Sequence, residues 1–184
     1  MKKVLVFLFI IFIQLTGFTQ NTYFTRSGHV YFISHTDVID IDANNHQLAS
    51  FLNIETGKIQ CAVLNKSFEF SLATAKEHYN ESYMESDKFP KITFKGDILN
   101  VDSFDLNING TYSVRVKGDI TIKGIKKSID VKGELKIENQ QIIAKSEFEL
   151  AIADFNITVP RLVEDKVAET VQIIVKIHYN LYEK

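Results

Sequence analysis

The amino-acid sequence predicts an all-β chain: an extended antiparallel, lipocalin-like barrel of about eight strands with one short helix between strands. Three observations carry this. Apolar residues recur at period two from Val30 onward, the alternation of a sheet with one wet and one dry face. Turn signatures separate the apolar runs, and neither proline falls inside one. A long open sheet would leave unpaired edges, so closure into a barrel is the economical solution.

The chain opens with Lys2 and Lys3 and an unbroken apolar run of ten residues from Val4 to Ile13. That is too short to cross a bilayer, which takes about 20 residues, but it suits the apolar centre of a secretory leader. With small residues at Gly17 and Thr19, residues 1–19 read as a signal peptide and residues 20–184 as a single domain with no integral membrane span. No composition shift or internal repeat marks a second domain.

In the mature part, Asp40-Ile41-Asp42-Ala43-Asn44 resembles the start of a calcium loop. The sixth position is Asn45 where glycine is needed and the twelfth is Phe51 where glutamate is needed. It reads instead as an edge strand with Ile39 and Ile41 facing inward. Glu55-Thr56-Gly57-Lys58 turns the chain between Gln47–Ile54 and Lys58–Leu64. Between Phe70 and Pro90, Thr74 and Glu77 have capping-box spacing and Ala75, Tyr79 and Tyr83 recur every four residues, which predicts an amphipathic helix. It could cover one end of the barrel or pack outside it. Alternation resumes at Ile92/Phe94/Ile98, Tyr112/Val114/Val116 and Ile120/Ile122. Hairpins at Lys123–Lys126 and Glu138–Gln141 lead to Ile129/Val131, Leu135/Ile137, Phe148/Leu150/Ile152 and the last run, Val171 to Tyr179.

Composition removes several function classes. With 21 Lys+Arg against 23 Asp+Glu there is no basic footprint for nucleic acid. The five histidines are scattered without metal-ligand spacing, so no metal or cofactor is expected. No nucleophile elbow, phosphate loop or dinucleotide turn occurs, and the single cysteine, Cys61, alternates with Ile59 and Val63 toward the apolar interior, where a thiolate is disfavoured. Nothing singles out a catalytic group. Arg26, Arg115 and Arg161 read as surface charges. The remaining feature is an interior that an eight-stranded barrel can fill with side chains or leave open for one apolar ligand. From the pattern alone both stay open, the packed core being the simpler.

The stretch from His78 through Ser86-Asp87-Lys88-Phe89-Pro90 to Lys91-Ile92-Thr93-Phe94-Lys95-Gly96 resembles the signature of the YceI-like family. So do Gly118-Asp119-Ile120-Thr121-Ile122-Lys123-Gly124, Phe32-Ile33-Ser34-His35 and Thr56-Gly57-Lys58-Ile59, in the same order along the chain. The resemblance implies an exported, periplasmic, lipocalin-like barrel, often dimeric, without an established catalytic activity, whose elongated cavity binds isoprenoid chains, including quinone-type lipids. It moves the cavity reading ahead of the packed core. The expected partner is therefore an isoprenoid or fatty-chain lipid, held for transport, storage or sequestration; a structural β-domain and a lipid-modifying enzyme are the alternatives. Expected lining positions are Phe32, Ile54, Val63, Phe70, Phe94, Ile98, Tyr112, Val114, Phe148 and Ile173, with His78, Tyr79 and Tyr83 as head-group contacts at the mouth.

Overall fold

The structure is a computed structural model and describes residues 22–182; the expected signal peptide, residues 1–19, lies outside them. Nine strands form: β1 (Thr22–His35), β2 (Asp40–Asn53), β3 (Lys58–Leu64), β4 (Glu69–Phe70), β5 (Lys91–Ile98), β6 (Gly110–Ile122), β7 (Ile125–Glu138), β8 (Gln141–Ala151) and β9 (Thr170–Leu181). Eight of them close a ring in the order β1-β9-β8-β7-β6-β5-β3-β2, with β2 pairing back onto β1. Every pairing is antiparallel.

The expected hairpins are present, and their backbone explains the residues that make them. Lys123 and Gly124 both have positive φ between β6 and β7, as do Asn139 and Gln140 between β7 and β8. That is the mirror-image turn whose twist matches a hairpin. β2 is not the edge strand expected from its sequence, because it carries neighbours on both sides. It runs past the end of β3, whose ladder with β2 covers only Ala49–Leu52, and the two-residue β4 then pairs with Ala43 and Asn44. Asn45, fully buried, bridges the splay: its amide donates to Leu64 O at 3.3 Å and Ser67 Oγ at 3.0 Å. A buried side chain here replaces ladder bonds that would otherwise be missing.

The helix differs from the expectation. α1 runs Ala73–His78 and continues as a wider turn through Tyr79–Tyr83, in which Met84 N donates to Tyr79 O at 2.8 Å. The residue preceding α1 is Leu72, and no side chain caps the end, so the Thr74/Glu77 capping box does not form. The cause is tertiary: β4 holds the chain extended on β2 as far as Phe70, and the helix begins immediately after, leaving Thr74 inside it.

Both ends of the barrel have a distinct character. At one end, Tyr23, Leu135, Ile142 and Tyr179 are buried together as a floor. At the other, α1 and the segment 152–169 lie over the barrel. Phe155, 2% exposed, packs there with Met84, Ile120 and Ile122. Ser34 at the end of β1 accepts a hydrogen bond from Ala168 N at 2.8 Å, and Ile152 N donates to Glu169 O at 2.9 Å, which pins the base of that segment.

Candidate ligand cavity

Side chains on the inner face do not fill the barrel. They enclose a cavity of about 690 Å³ with inward residues from all eight ring strands on its wall, within the range of about 300–1,000 Å³ usual for small-molecule sites. The period-two pattern accounts for the lining: Val30 and Phe32 on β1, Leu48 and Leu52 on β2, Ile59 and Val63 on β3, Ile92 and Phe94 on β5, Val114 and Val116 on β6, and their counterparts on β7 to β9. The cavity runs from the floor toward α1 and the segment 152–167, which also line it.

Two local arrangements shape the wall. Gly96 on β5 and Gly118 on β6 are ladder partners, and the Phe94 ring lies against both. A Cβ on Gly118 would stand 2.4 Å from the Gly96 Cα and 2.7 Å from Phe94 Cζ, and one on Gly96 would be 2.7 Å from the same ring atom. Only glycine permits this approach. Near the helix-covered end, Phe32 faces Phe68, Phe70 and Tyr79 with ring centroids 5.5, 5.7 and 5.8 Å away. Tyr79 is the polar member of the group. Burial pushes its phenol well above the ordinary value, so it stays a neutral donor, and its hydroxyl reaches Asn65 Oδ1 at 3.3 Å. Asn65 is fully buried and donates from Nδ2 to Phe89 O at 2.6 Å, while its backbone N–H bonds Pro90 O at 2.9 Å. This knot ties the end of β3 to the approach to β5 beneath the helix.

Of the residues expected to line a cavity, Phe32, Val63, Phe70, Phe94, Ile98, Val114, Phe148 and Ile173 are on its wall, as are His78, Tyr79 and Tyr83. Ile54 and Tyr112 are not. Ile54 is buried in the packed floor beyond the cavity. Tyr112, half-buried, packs on Phe104 at 6.2 Å and donates from its hydroxyl to Ile108 O at 3.0 Å. Tyr79 differs from the mouth contact expected of it, because its hydroxyl is turned to Asn65. Ile152, expected to continue the alternation of β8, instead opens a short turn after Ala151, and the residues that follow it, which contribute Phe155, Val163 and Lys166 to the wall, are not among the expected lining positions. The signal in the sequence is a loss of alternation from Ala153 to Glu169, between two clear strand patterns.

The chemistry of the wall is that of a container. Burial pushes the Cys61 thiol up to about 11, so it is protonated near neutral pH and unsuited to nucleophilic attack. Among the described residues no group of three or more His, Cys, Asp and Glu could hold a metal ion. Arg115 is at the surface in a bidentate pair with Asp130, at 2.7 and 2.8 Å, and Arg26 lies over the Phe24 ring.

The family model of the YceI-like domain matches residues 21–179. Among solved structures, a polyisoprenoid binding domain from Saccharophagus degradans implicated in plant cell wall breakdown superposes with a TM-score of 0.76 at 12% identity, covering 89% of this chain and 99% of that one. BcnA of Burkholderia cenocepacia gives 0.68 at 16% identity over 83% of this chain and 96% of its own. The YCEI protein of Campylobacter jejuni gives 0.56 at 14%, with 83% and 91% covered. No curated protein matches.

Proposed function

The chain belongs to the YceI-like domain family, and from that premise we propose that it is an exported, periplasmic binding protein that holds an isoprenoid or other long-chain lipid in its barrel without transforming it. The observation that carries this reading is the cavity itself: about 690 Å³, lying between the packed floor and the covering α1 and walled mostly by aliphatic and aromatic side chains. Each methylene moved there from water gains about 0.8 kcal/mol, so a chain of ten carbons has about 8 kcal/mol available before the cost of ordering it. The similarity to a polyisoprenoid binding domain supports the same ligand class. A packed structural domain would have no use for a hollow of this size. A lipid-modifying enzyme would need an activated acid, base or nucleophile on the wall, where Cys61 is held protonated.

The test is organic extraction of the protein purified from its own host, followed by mass spectrometry. One recurrent long-chain lipid in near-stoichiometric amount is the expected result. Protein that is repeatedly lipid-free and that fails to take up added prenols would refute the reading.

A further inference from the structure

Three polar side chains are buried together where the cavity meets its floor. Tyr179 on β9 reaches past β1 to Ser50 on β2, with 2.6 Å between the hydroxyl oxygens. Ser50 Oγ is also 3.2 Å from Cys61 Sγ on β3. Ser50 is fully buried and Tyr179 is 2% exposed, whereas Cys61 stands on the cavity wall.

Each of the three groups carries one hydrogen, and two contacts join them. Whichever way the hydroxyls rotate, one hydrogen is left without an acceptor in the chain. Phenols donate more strongly than alcohols, so the favoured order runs from Tyr179 to Ser50 and from Ser50 to the sulfur. That order leaves the S–H of Cys61, on the cavity wall, without an acceptor among the described residues. A purely hydrocarbon filling would keep this donor unsatisfied, at a cost in free energy.

We infer that the Tyr179–Ser50–Cys61 chain is a polar subsite at the cavity floor for one uncharged oxygen of the ligand, a hydroxyl or a carbonyl. This rests on the lipid-holding function proposed above and adds an orientation: the oxygen-bearing end goes to the floor and the hydrocarbon points toward α1. The subsite discriminates against phosphates and carboxylates. No cation contacts the three residues among the described hydrogen bonds and ion pairs, and an anion buried without a partner is strongly disfavoured.

The test compares farnesol with its hydrocarbon counterpart farnesene, by displacement of a fluorescent probe from the full chain and from Cys61→Ala and Cys61→Ser. The readout is the ratio of the two Kd values within each protein, which cancels general effects on the cavity. The preference for farnesol falls severalfold in Cys61→Ala, because the spare hydrogen then passes to Ser50 Oγ, which is not on the cavity wall. In Cys61→Ser it is kept or widened, because a hydroxyl is the stronger donor. The same ratio in all three proteins overturns the subsite, since the oxygen then lies elsewhere. Should Cys61→Ala fail to fold, farnesol against farnesyl phosphate on the unaltered protein decides: a phosphate at least tenfold weaker is expected, and equal affinity overturns the proposal. Uptake of none of these probes by any of the proteins would refute lipid holding itself, and the subsite with it.

Discussion

Filling the cavity from its wall should weaken binding sharply while leaving the barrel intact. Ala144 on β8 lines the cavity between Leu135 on β7 and Ile177 on β9. In Ala144→Phe the new ring occupies the room of about four ligand carbons. At about 0.8 kcal/mol each this removes about 3 kcal/mol of binding, or about two orders of magnitude in Kd. The ring is itself buried against aliphatic side chains, so the melting temperature should hold or rise. Titration of farnesol followed by probe displacement, with a thermal melt on the same sample, reads both effects. A folded variant that binds farnesol as the unaltered protein does would refute the placement of the ligand. Val175→Phe, on the β9 wall, repeats the test at a second position.

Four further outcomes are expected. Gly118→Ala places a methyl 2.4 Å from the Gly96 Cα and from Lys95 O, and such overpacking costs about 1–3 kcal/mol, visible as a lower denaturation midpoint; an unchanged midpoint would show that the β5–β6 contact is looser than described. Asn65→Ala removes the bonds to Phe89 and Tyr79, so ligand release through the helix-covered end should quicken severalfold, and stopped-flow rates equal to the unaltered protein would count against that end as the exit. The thiol of Cys61 rises from 9.0 to about 11 on folding; a raised value means stability is full below pH 9 and is lost as pH climbs from 9 through 11, by on the order of 2–3 kcal/mol. Urea melts across that window should show the loss in the unaltered protein and a smaller one in Cys61→Ala. Finally, lipid-stripped protein should melt lower than loaded protein and recover on titration, following the logarithm of free ligand over Kd; identical melts would mean no ligand binds the native state.

Strand faces were legible because period two is a property of the extended backbone. This holds for Phe32, Val63, Phe94, Val114, Phe148 and Ile173, drawn from six different strands. What alternation does not encode is height along the barrel. Tyr112 shares its parity with Val114, and Ile54 follows the inward Leu52, yet both lie beyond the cavity. Height depends on the stagger between neighbouring strands, and here β1 changes register between Thr25 and Val30 against β2 and between Phe24 and His29 against β9. The mark this leaves in the sequence is Gly28, a glycine inside a strand, which signals an irregularity without giving the size of the shift. The helix start was misplaced for a related reason: pairing of β4 with β2 decides where the extended chain ends, and a local capping pattern carries no information about that partner.

The hollow interior follows from where the small residues fall. Eight strands fix the girth of the barrel, so the volume left over is set by the inward side chains. On β7 and β8 these include Gly133, Ala144 and Ser146, while the bulky Phe32, Leu48 and Leu52 stand on β1 and β2. Side chains around an unfilled hollow lack contacts on one side, and that loss grows with the volume left empty. Water offers little relief along the aliphatic and aromatic stretches of the wall, because a buried water needs about three polar partners. A hydrocarbon chain restores the missing contacts along the wall, and an oxygen at its end satisfies the one donor left over at the floor. The same substitutions of small for large residues that make the barrel hollow therefore make an occupied barrel the more stable form.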